Sequence, residues 1–469
     1  MQVSIVNYNK LGSGFRLDAE YYKPIYLNLE SELRKFKTVA LEYLANEIRC
    51  GPFGSTILCE TYFENGVIVA RPFNIVNFTI ERENLVFISI DDVKQKKLKT
   101  YNEGDIFFSR VGDIRCGVVP KFESAITISP NIIAVKIDKE KINPYYIVAF
   151  FNSRYGLPQI ERGLKVVAQP TIQTDLIARL RVVQLSSTFQ NSIERIFRHY
   201  FVLEKQSALL YSQAEQILLA ELGLMNWKPK HQLSFVKNFS DSKNADRIDA
   251  EYFQPMYDEI VEKVIEYKNG YKTVDEAVKI KDRNFTPKDD VSYKYIELAN
   301  IAANGHINGF TEAIGKDLPT RARLKVNFGD VIVSAIEGSL SSIALINDDL
   351  DNALCSTGFY VINSGIFNSE TLLVLLKSSV GQLQLKKGCS GTILTAINKE
   401  EFKRILLPNI SRNIQEQIKQ IISEMYKAKS ISITLLDIAK RGVEIAIEQN
   451  EVEAEKWINN ELEKHKIVL

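Results

Sequence analysis

Hydrophobic positions in this chain recur in two different rhythms, and the two rhythms alternate in large blocks. Short β-branched runs come first: Val67-Ile68-Val69, Leu85-Val86-Phe87-Ile88, Ile106-Phe107-Phe108 and Ile132-Ile133-Ala134-Val135. Glycines and asparagines separate them, as strands joined by turns require. A helix is predicted over 144–153. Then the period changes. Phe189, Ile193, Ile196, Tyr200, Leu203, Ser207, Leu210, Ala214 and Ile217 follow in alternating steps of four and three. That 3.5-residue seam is the coiled-coil pattern and predicts one long helix. The sequence of blocks then repeats. Tyr295-Ile296-Glu297-Leu298, Val331-Ile332-Val333 and Phe359-Tyr360-Val361-Ile362 predict strands, and a helix is predicted over 369–378. A second seam runs through Ile414, Ile418, Ile421, Met425, Ala428, Ser432, Leu435, Ala439 and Gly442, in the same steps and at one constant offset from the first.

The repetition extends to residue identity. Arg16-Leu17-Asp18-Ala19-Glu20-Tyr21-Tyr22-Lys23-Pro24-Ile25-Tyr26 returns as Arg247-Ile248-Asp249-Ala250-Glu251-Tyr252-Phe253-Gln254-Pro255-Met256-Tyr257, with seven of eleven positions identical. Asp18 and Asp249 are predicted N-caps. Gly104-Asp105-Ile106-Phe107-Phe108-Ser109 matches Gly329-Asp330-Val331-Ile332-Val333-Ser334, and Arg179-Leu180 matches Arg404-Ile405, both at the offset that relates the seams. A period of this length is far beyond the roughly 20–50 residues of a solenoid unit. Each unit is large enough to be a domain with a helix attached. Small residues in both seams (Ser207, Ala214, Ser432, Ala439) allow close backbone approach. We expect the two helices to pack antiparallel on each other through Ile193, Ile196, Tyr200, Leu203 and Leu210 of the first and Ile418, Ile421, Met425 and Leu435 of the second. About 30 helical residues span roughly 45 Å, the length of about 13 base pairs.

Composition narrows the function classes. With 469 residues, 45% hydrophobic and 25% charged, the chain is ordinary globular protein, and its net charge of +1 announces no global polyanion partner. Nucleic-acid binding would need a local basic surface. Five cysteines, Cys50, Cys59, Cys116, Cys355 and Cys389, include no C-x-x-C pair and suggest reduced thiols in a cytoplasmic protein, with no metal site. Neither a signal pattern nor an apolar run of membrane-spanning length is present.

Catalytic motifs are weak. Asn143-Pro144-Tyr145-Tyr146 is similar to the Asn-Pro-Pro-Tyr loop of amino-methyltransferases, but Tyr145 replaces the second proline and the segment opens a predicted helix, where proline suits the first turn. Gly12-Ser13-Gly14 lacks the strand and third glycine of a cofactor loop. Asp92-Val93-Lys94 has nuclease-like spacing that arises by chance in a Lys-rich loop, and His199, His231, His306 and His465 are scattered. The chain is expected to bind rather than catalyse.

The candidate binding residues lie in glycine-punctuated loops between strands. In the first half these are Arg49 and Ser55; Arg71 and Asn74; Arg110, Asp113 and Arg115; and Lys165, Gln169 and Thr171. In the second they are Lys281, Arg283 and Asn284; Asn300 and Asn304; Glu337, Ser339 and Ser341; and Lys387 and Thr392. Arginine reads guanine, asparagine and glutamine read adenine, and glutamate accepts from cytosine. Lysine and hydroxyl side chains more often hold phosphate. The loops differ between halves while the framework repeats, as two heads reading different half-sites would.

The repeated Arg-hydrophobic-Asp-Ala-Glu-Tyr-aromatic segments resemble those of the specificity subunits of type I restriction–modification systems. So do the Gly-Asp strands ending in Ser109 and Ser334, the following Gly112 and Gly338, Thr171-Ile172 and Ala396-Ile397, and a long helix closing each half. The resemblance covers nearly the whole chain. It implies an α/β (α+β) fold with two tandem target recognition domains, over 1–186 and 230–410. Their sheets would be twisted and mostly antiparallel. Two long helices, in 187–229 and 411–469, would form an antiparallel coiled coil that spaces the domains. It further implies double-stranded DNA with a bipartite site as ligand and no catalysis or cofactor in this chain. Two methyltransferase subunits would carry S-adenosylmethionine, and restriction/translocase subunits would use ATP and Mg. Type IIB and IIG systems use similar chains. The acidic extension from Glu448 to Leu469, with Trp457, departs from the pattern and is expected to dock a partner or cap the coil. The competing expectations are an adenine methyltransferase built on Asn143 and a two-domain protein adaptor that never touches DNA.

Overall fold

The computed structural model describes the chain except for residues 1–4, 7–17, 59, 61, 64, 77, 83, 165–170, 303 and 392–394. The chain forms two compact units. One comprises Met1–Glu204 with Lys429–Leu469, the other Lys205–Ala428. The long helices Ser187–Glu221 and Arg412–Glu448 therefore each contribute to both units. Of the boundaries expected from the sequence, 186 falls just before the first long helix and 410 just before the second, while 229 falls in the segment between Glu221 and Phe239 and starts no element. The compact units divide within the long helices, where residues of one seam pack against the other helix.

The first unit is built on a six-stranded sheet ordered Ala45–Cys50, Ile132–Ile137, Ile106–Ser109, Cys116–Val118, Thr79–Ile80, Ile75–Val76. A three-stranded sheet of Val86–Ile88, Val67–Ala70 and Ile126–Ile128 accompanies it. Thr38–Ala40 pairs with Arg181–Val183. The second unit repeats the centre of this plan. Lys279–Lys281, Phe359–Asn363, Val331–Ser334 and Ile343–Leu345 form one sheet, and Tyr271–Thr273 pairs with Leu406–Pro408. A further four-stranded sheet orders Thr311–Ile314, Ser292–Ile296, Leu354–Ser356 and Ala322–Lys325. Among the described strands most pairs are antiparallel; the parallel ones join Ser292–Ile296 to Leu354–Ser356, Val67–Ala70 to Ile126–Ile128, and Thr79 to Val118.

The central pairing is the same in both units. Ile106 to Ser109 face Val135 to Ile132, and Val331 to Ser334 face Ile362 to Phe359. All four residues of Ile106–Ser109 and of Val331–Ser334 are buried, which explains their unbroken apolar runs. The turn that feeds each strand is also repeated. Asp105 and Asp330 each accept, at 2.8 Å, the backbone N–H three residues before them, from Asn102 and Asn327. Gly104 and Gly329 sit in that turn at φ +89° and +80°, a region a side chain would strain.

Within the first unit the beginning of the first long helix runs antiparallel to the end of the second. Glu204 contacts Lys429, and Ile193 lies against Gly442. Within the second unit, Ala214 and Leu218 share a core with Ile418, Ile422 and Met425. Of the seam residues, Ile193, Ile196, Tyr200, Leu203, Ile418, Met425 and Leu435 are buried, while Leu210 and Ile421 are half-buried. The extension beyond Glu448 is a helix, Glu451–Lys464, capped by Asn450. It packs on the first unit: Ile458 lies against Gly442, and Glu451 accepts the backbone N–H of Ser186 at 2.7 Å. Trp457 is half-buried. No described helix is long and apolar enough to cross a membrane.

Candidate nucleic-acid interface

Strand register decides which loops meet. In the first unit Ile133 pairs with Cys50 and Ile132 with Ser109, so the chain leaves both strands at one end of the sheet. Four loops converge there around Ser129-Pro130-Asn131. The backbone N–H of Gly51 donates to Ile132 O (2.9 Å), that of Arg110 to Asn131 O (2.8 Å), and that of Ser129 to Ala70 O (2.8 Å), beside Arg71. Ile172 N–H donates to Arg110 O at 2.9 Å, which brings Thr171 alongside Val111. The Ser109 hydroxyl stiffens the loop base, donating to Asp113 O (2.6 Å) and accepting from Arg115 N–H (2.8 Å).

Three arginines rim this edge. Arg110 is half-buried and Nη1 reaches Pro130 O at 3.5 Å. Arg71 lies over the Phe73 ring at 4.2 Å, with Nη2 on Asn84 O at 2.7 Å. Arg115 bridges to Asp113, whose side chain is 84% exposed, and Nη1 reaches Ile75 O at 3.3 Å. The guanidiniums of Arg110 and Arg115 carry donors beyond these bonds. Arg49 is exposed in the neighbouring strand, paired with Glu47, and Ser55 is exposed in the turn Gly54–Thr56. Asn74 does not line this edge. It is fully buried, and its Oδ1 accepts the N–H of Arg71 at 3.0 Å, closing the turn that presents Arg71. Lys165 and Gln169 lie outside the described residues.

The equivalent edge of the second unit has the same backbone bonds and different side chains. Ala335 N–H donates to Gly358 O (2.9 Å) and Ile397 N–H to Ala335 O (2.8 Å), the counterparts of the Arg110 bonds. Ser334 Oγ accepts from Ile336 N–H (3.1 Å) and lies 3.0 Å from Ser339 Oγ. Glu337 is half-buried on this loop, its N–H on Thr395 O, and Ser341 is exposed. Arg283 and Asn284 are exposed beyond the adjoining strand.

Several second-half candidates are used internally. Lys281 is paired at 2.6 Å with Asp330, whose side chain is almost fully buried, and also reaches Asn327. Lys387 is paired with Asp258 at 2.9 Å. Asn300 Oδ1 caps its turn through Glu297 N–H at 2.8 Å. Asn304 is buried, with Oδ1 on His306 N–H (3.1 Å) and Nδ2 toward Ser207 Oγ (3.5 Å). These asparagines and lysines are engaged within the unit, and only Asn304 among them is buried. Thr392 lies outside the described residues.

The methyltransferase-like segment is also structural. Asn143 caps the helix Pro144–Phe151 through Tyr145 N–H at 3.0 Å, and its Nδ2 donates to Glu194. Tyr145 and Tyr146 are buried, and Tyr146 donates to Val183 O at 2.7 Å. Burial pushes both phenols well above the usual range. Asp92 sits in the first turn of Ile90–Gln95, bonded to Ser89 Oγ and paired with Lys96. Its carboxyl is held below the usual range by Ser89 and then Lys96. Among the described residues no group of three or more His, Cys, Asp or Glu could hold a metal ion.

Sequence reading missed the glutamines that fix each frame. Gln159 bonds both ways to the backbone of Arg181 (2.9 and 3.0 Å), and Gln384 does the same to Leu406 (2.8 and 3.0 Å). These glutamines are equivalent positions of the repeat, related by the offset that already links the central strands.

No protein-family model and no curated protein matches the chain. Similar solved structures include the S subunit of a type I restriction–modification system from M. genitalium (10% identity, 91% of this chain and 96% of that one, TM-score 0.34). The HsdS subunit from Thermoanaerobacter tengcongensis is similar at 12% identity, over 92% of this chain and 96% of that one, with a TM-score of 0.26. A chain from a structure concerned with complex assembly and conformational transition of the type I R-M system is similar at 12% identity, over 92% and 97%, with a TM-score of 0.27.

Proposed function

We propose that this chain is a non-catalytic DNA-specificity subunit of a type I restriction–modification complex, reading a bipartite site in double-stranded DNA with one unit per half. The observation that carries this reading is the repeated loop frame with exchanged side chains. The bonds that hold Arg110 in the first unit hold Ala335 in the second, with nearly identical lengths. A scaffold held constant while its displayed residues change is what two different half-site readers need, because base edges and not phosphates carry sequence information. The first edge, rimmed by Arg71, Arg110 and Arg115, suits guanine contacts and phosphate. The second, with Glu337, Ser339 and Ser341, suits cytosine amino groups and phosphate. Methylation would be done by two methyltransferase subunits carrying S-adenosylmethionine, and cleavage by restriction subunits using ATP and Mg.

The test is co-expression with the methyltransferase subunit of its own system, copurification, and sequencing of the host DNA for N6-methyladenine. A methylated motif with two specified halves and a fixed gap is expected. A stable complex with no motif, or salt-insensitive binding to duplex, would overturn the DNA reading, since phosphate contacts make affinity fall with salt.

A further inference from the structure

The loop that follows Cys50 carries an aromatic ring in an unusual position. Phe53 is 88% exposed, at the apex of Gly51-Pro52-Phe53-Gly54. The apex is held from below. Gly51 N–H donates to Ile132 O at 2.9 Å, and a Cβ on Gly51 would lie 2.0 Å from Ser129 O, so only glycine allows the loop to sit this close. Pro52 restricts the next backbone angle, and Thr56 N–H closes the following turn on Phe53 O at 2.9 Å. The ring is thus exposed on a braced loop. Its base is shared with Arg110: Cys50 Sγ and Arg110 Nη1 both approach Pro130 O.

The second unit shows what such a ring does when it only packs. Arg49 pairs with Ala134, and Ala134 with Phe107; Lys281 pairs with Val361, and Val361 with Ile332. Phe107 and Ile332 are equivalent in the repeat, so Arg49 corresponds to Lys281 and Phe53 to Phe285, each four positions on. Phe285 meets Tyr293 edge-on at 5.8 Å and joins a cluster with Tyr295, Ala322 and Leu354. The repeat therefore offers a packed solution, and the first unit departs from it at the edge where its arginines gather.

We propose that Phe53 is a stacking wedge that enters a base step of the first half-site, while the second half-site is read without such insertion. This rests on the DNA reading above. An apolar ring beside a cationic rim fits DNA, whose phosphates meet the arginines while an opened base step meets the ring.

The experiment uses the complex with the methyltransferase subunit and a duplex carrying the methylated motif, with 2-aminopurine placed in turn through each half. The wild-type complex should raise 2-aminopurine fluorescence at one step of the first half and at none of the second. F53A should return that signal to the free-duplex level and weaken binding roughly tenfold, and F53W should keep the signal. F285A should leave the second-half signal at baseline. A signal that persists in F53A, or is absent in the wild-type complex on bound duplex, overturns the wedge and leaves the DNA reading standing. Loss of methyltransferase copurification in F53A would make the ring a protein contact and also overturn it. Failure of the wild-type complex to bind any duplex would overturn the DNA reading itself.

Discussion

Gln190 Oε1 accepts the backbone N–H of Asn143 at 2.9 Å, and its Nε2 donates to Leu185 O at 2.9 Å. Each bond recurs at the equivalent place in the second half with the same length: Gln415 accepts from Asn368 and donates to Ile410 O. Asn143 and Asn368 are both N-caps of the short helix behind the central strands. One buried side chain therefore ties the start of each long helix to the cap of its unit's helix. Replacing either glutamine by leucine keeps the volume but leaves a buried N–H and a carbonyl unpaired. Q190L and Q415L should each cost about 1–3 kcal/mol, read as a lower midpoint in chemical denaturation. Wild-type stability in both would show the bonds to be incidental.

Glu204 and Lys429 are equivalent positions of the repeat, and they touch each other. Lys429 Nζ lies 2.7 Å from Glu204 Oε2, Ser432 donates to the other carboxylate oxygen, and the Lys429 side chain is 7% exposed. Breaking such a partly buried pair from one side costs about 3–5 kcal/mol, because a charge is left without its partner. E204K and K429E should each destabilise strongly by placing like charges together. The double exchange should recover most of the loss, since the pair is rebuilt in reverse. A thermodynamic cycle measures this; additive losses in the double variant would exclude a specific coupling.

Much of the frame was legible because it is written in periodicities. Buried strands such as Ile106–Ser109 are continuous apolar runs, and each long helix shows its seam as alternating steps. The candidate site was legible less evenly. Loop position and residue type pointed to Arg71, Arg110 and Arg115, which do rim one edge. The same criteria also selected Asn74 and Asn304, because a polar residue in a turn does not reveal whether its amide faces water or closes the turn on its own backbone. Lys281 and Lys387 looked like phosphate ligands because their partners, Asp330 and Asp258, are 49 and 129 residues away in sequence. How the acidic extension packs was hidden because its buried positions, Ala454, Ile458 and Leu462, lie on a narrow stripe within a charged segment.

The segment between the helices Phe239–Ala245 and Pro255–Ile265 is latched by charge. Arg247 bonds both oxygens of Asp249 and donates to Cys389 O, while Asp249 accepts the N–H of Tyr252. The Arg247 guanidinium, chiefly, holds the Asp249 carboxyl below the usual range. A depressed folded value means that the stabilisation is fully present above the unfolded value, about pH 4, and is lost as pH falls through the folded value. Acid should therefore release this latch. In D249N the pH dependence of stability on the acid side should be shallower than in wild type, measured by denaturation at successive pH values. An unchanged acid profile would show that the latch does not contribute.

Arg110 and Ala335 occupy the same place in equivalent frames, so they make the sharpest test of divided reading. Their backbone bonds to Asn131 and Gly358, and from Ile172 and Ile397, involve no side-chain atom. R110A should therefore leave the loop folded while removing a guanidinium from the first edge. If that group reads a base, discrimination at one position of the first half-site should fall by about 1–3 kcal/mol, with the second half-site read as before. If it holds only phosphate, affinity should drop evenly across sequences and the salt dependence should become shallower. Competition binding with duplexes substituted in one half at a time, repeated at two salt concentrations, separates these outcomes. Equal loss of discrimination in both halves would contradict the assignment of one half to each unit. The reciprocal change A335R adds a cation where the frame already accepts one, so it should strengthen duplex binding. Any altered base preference should appear only in the second half.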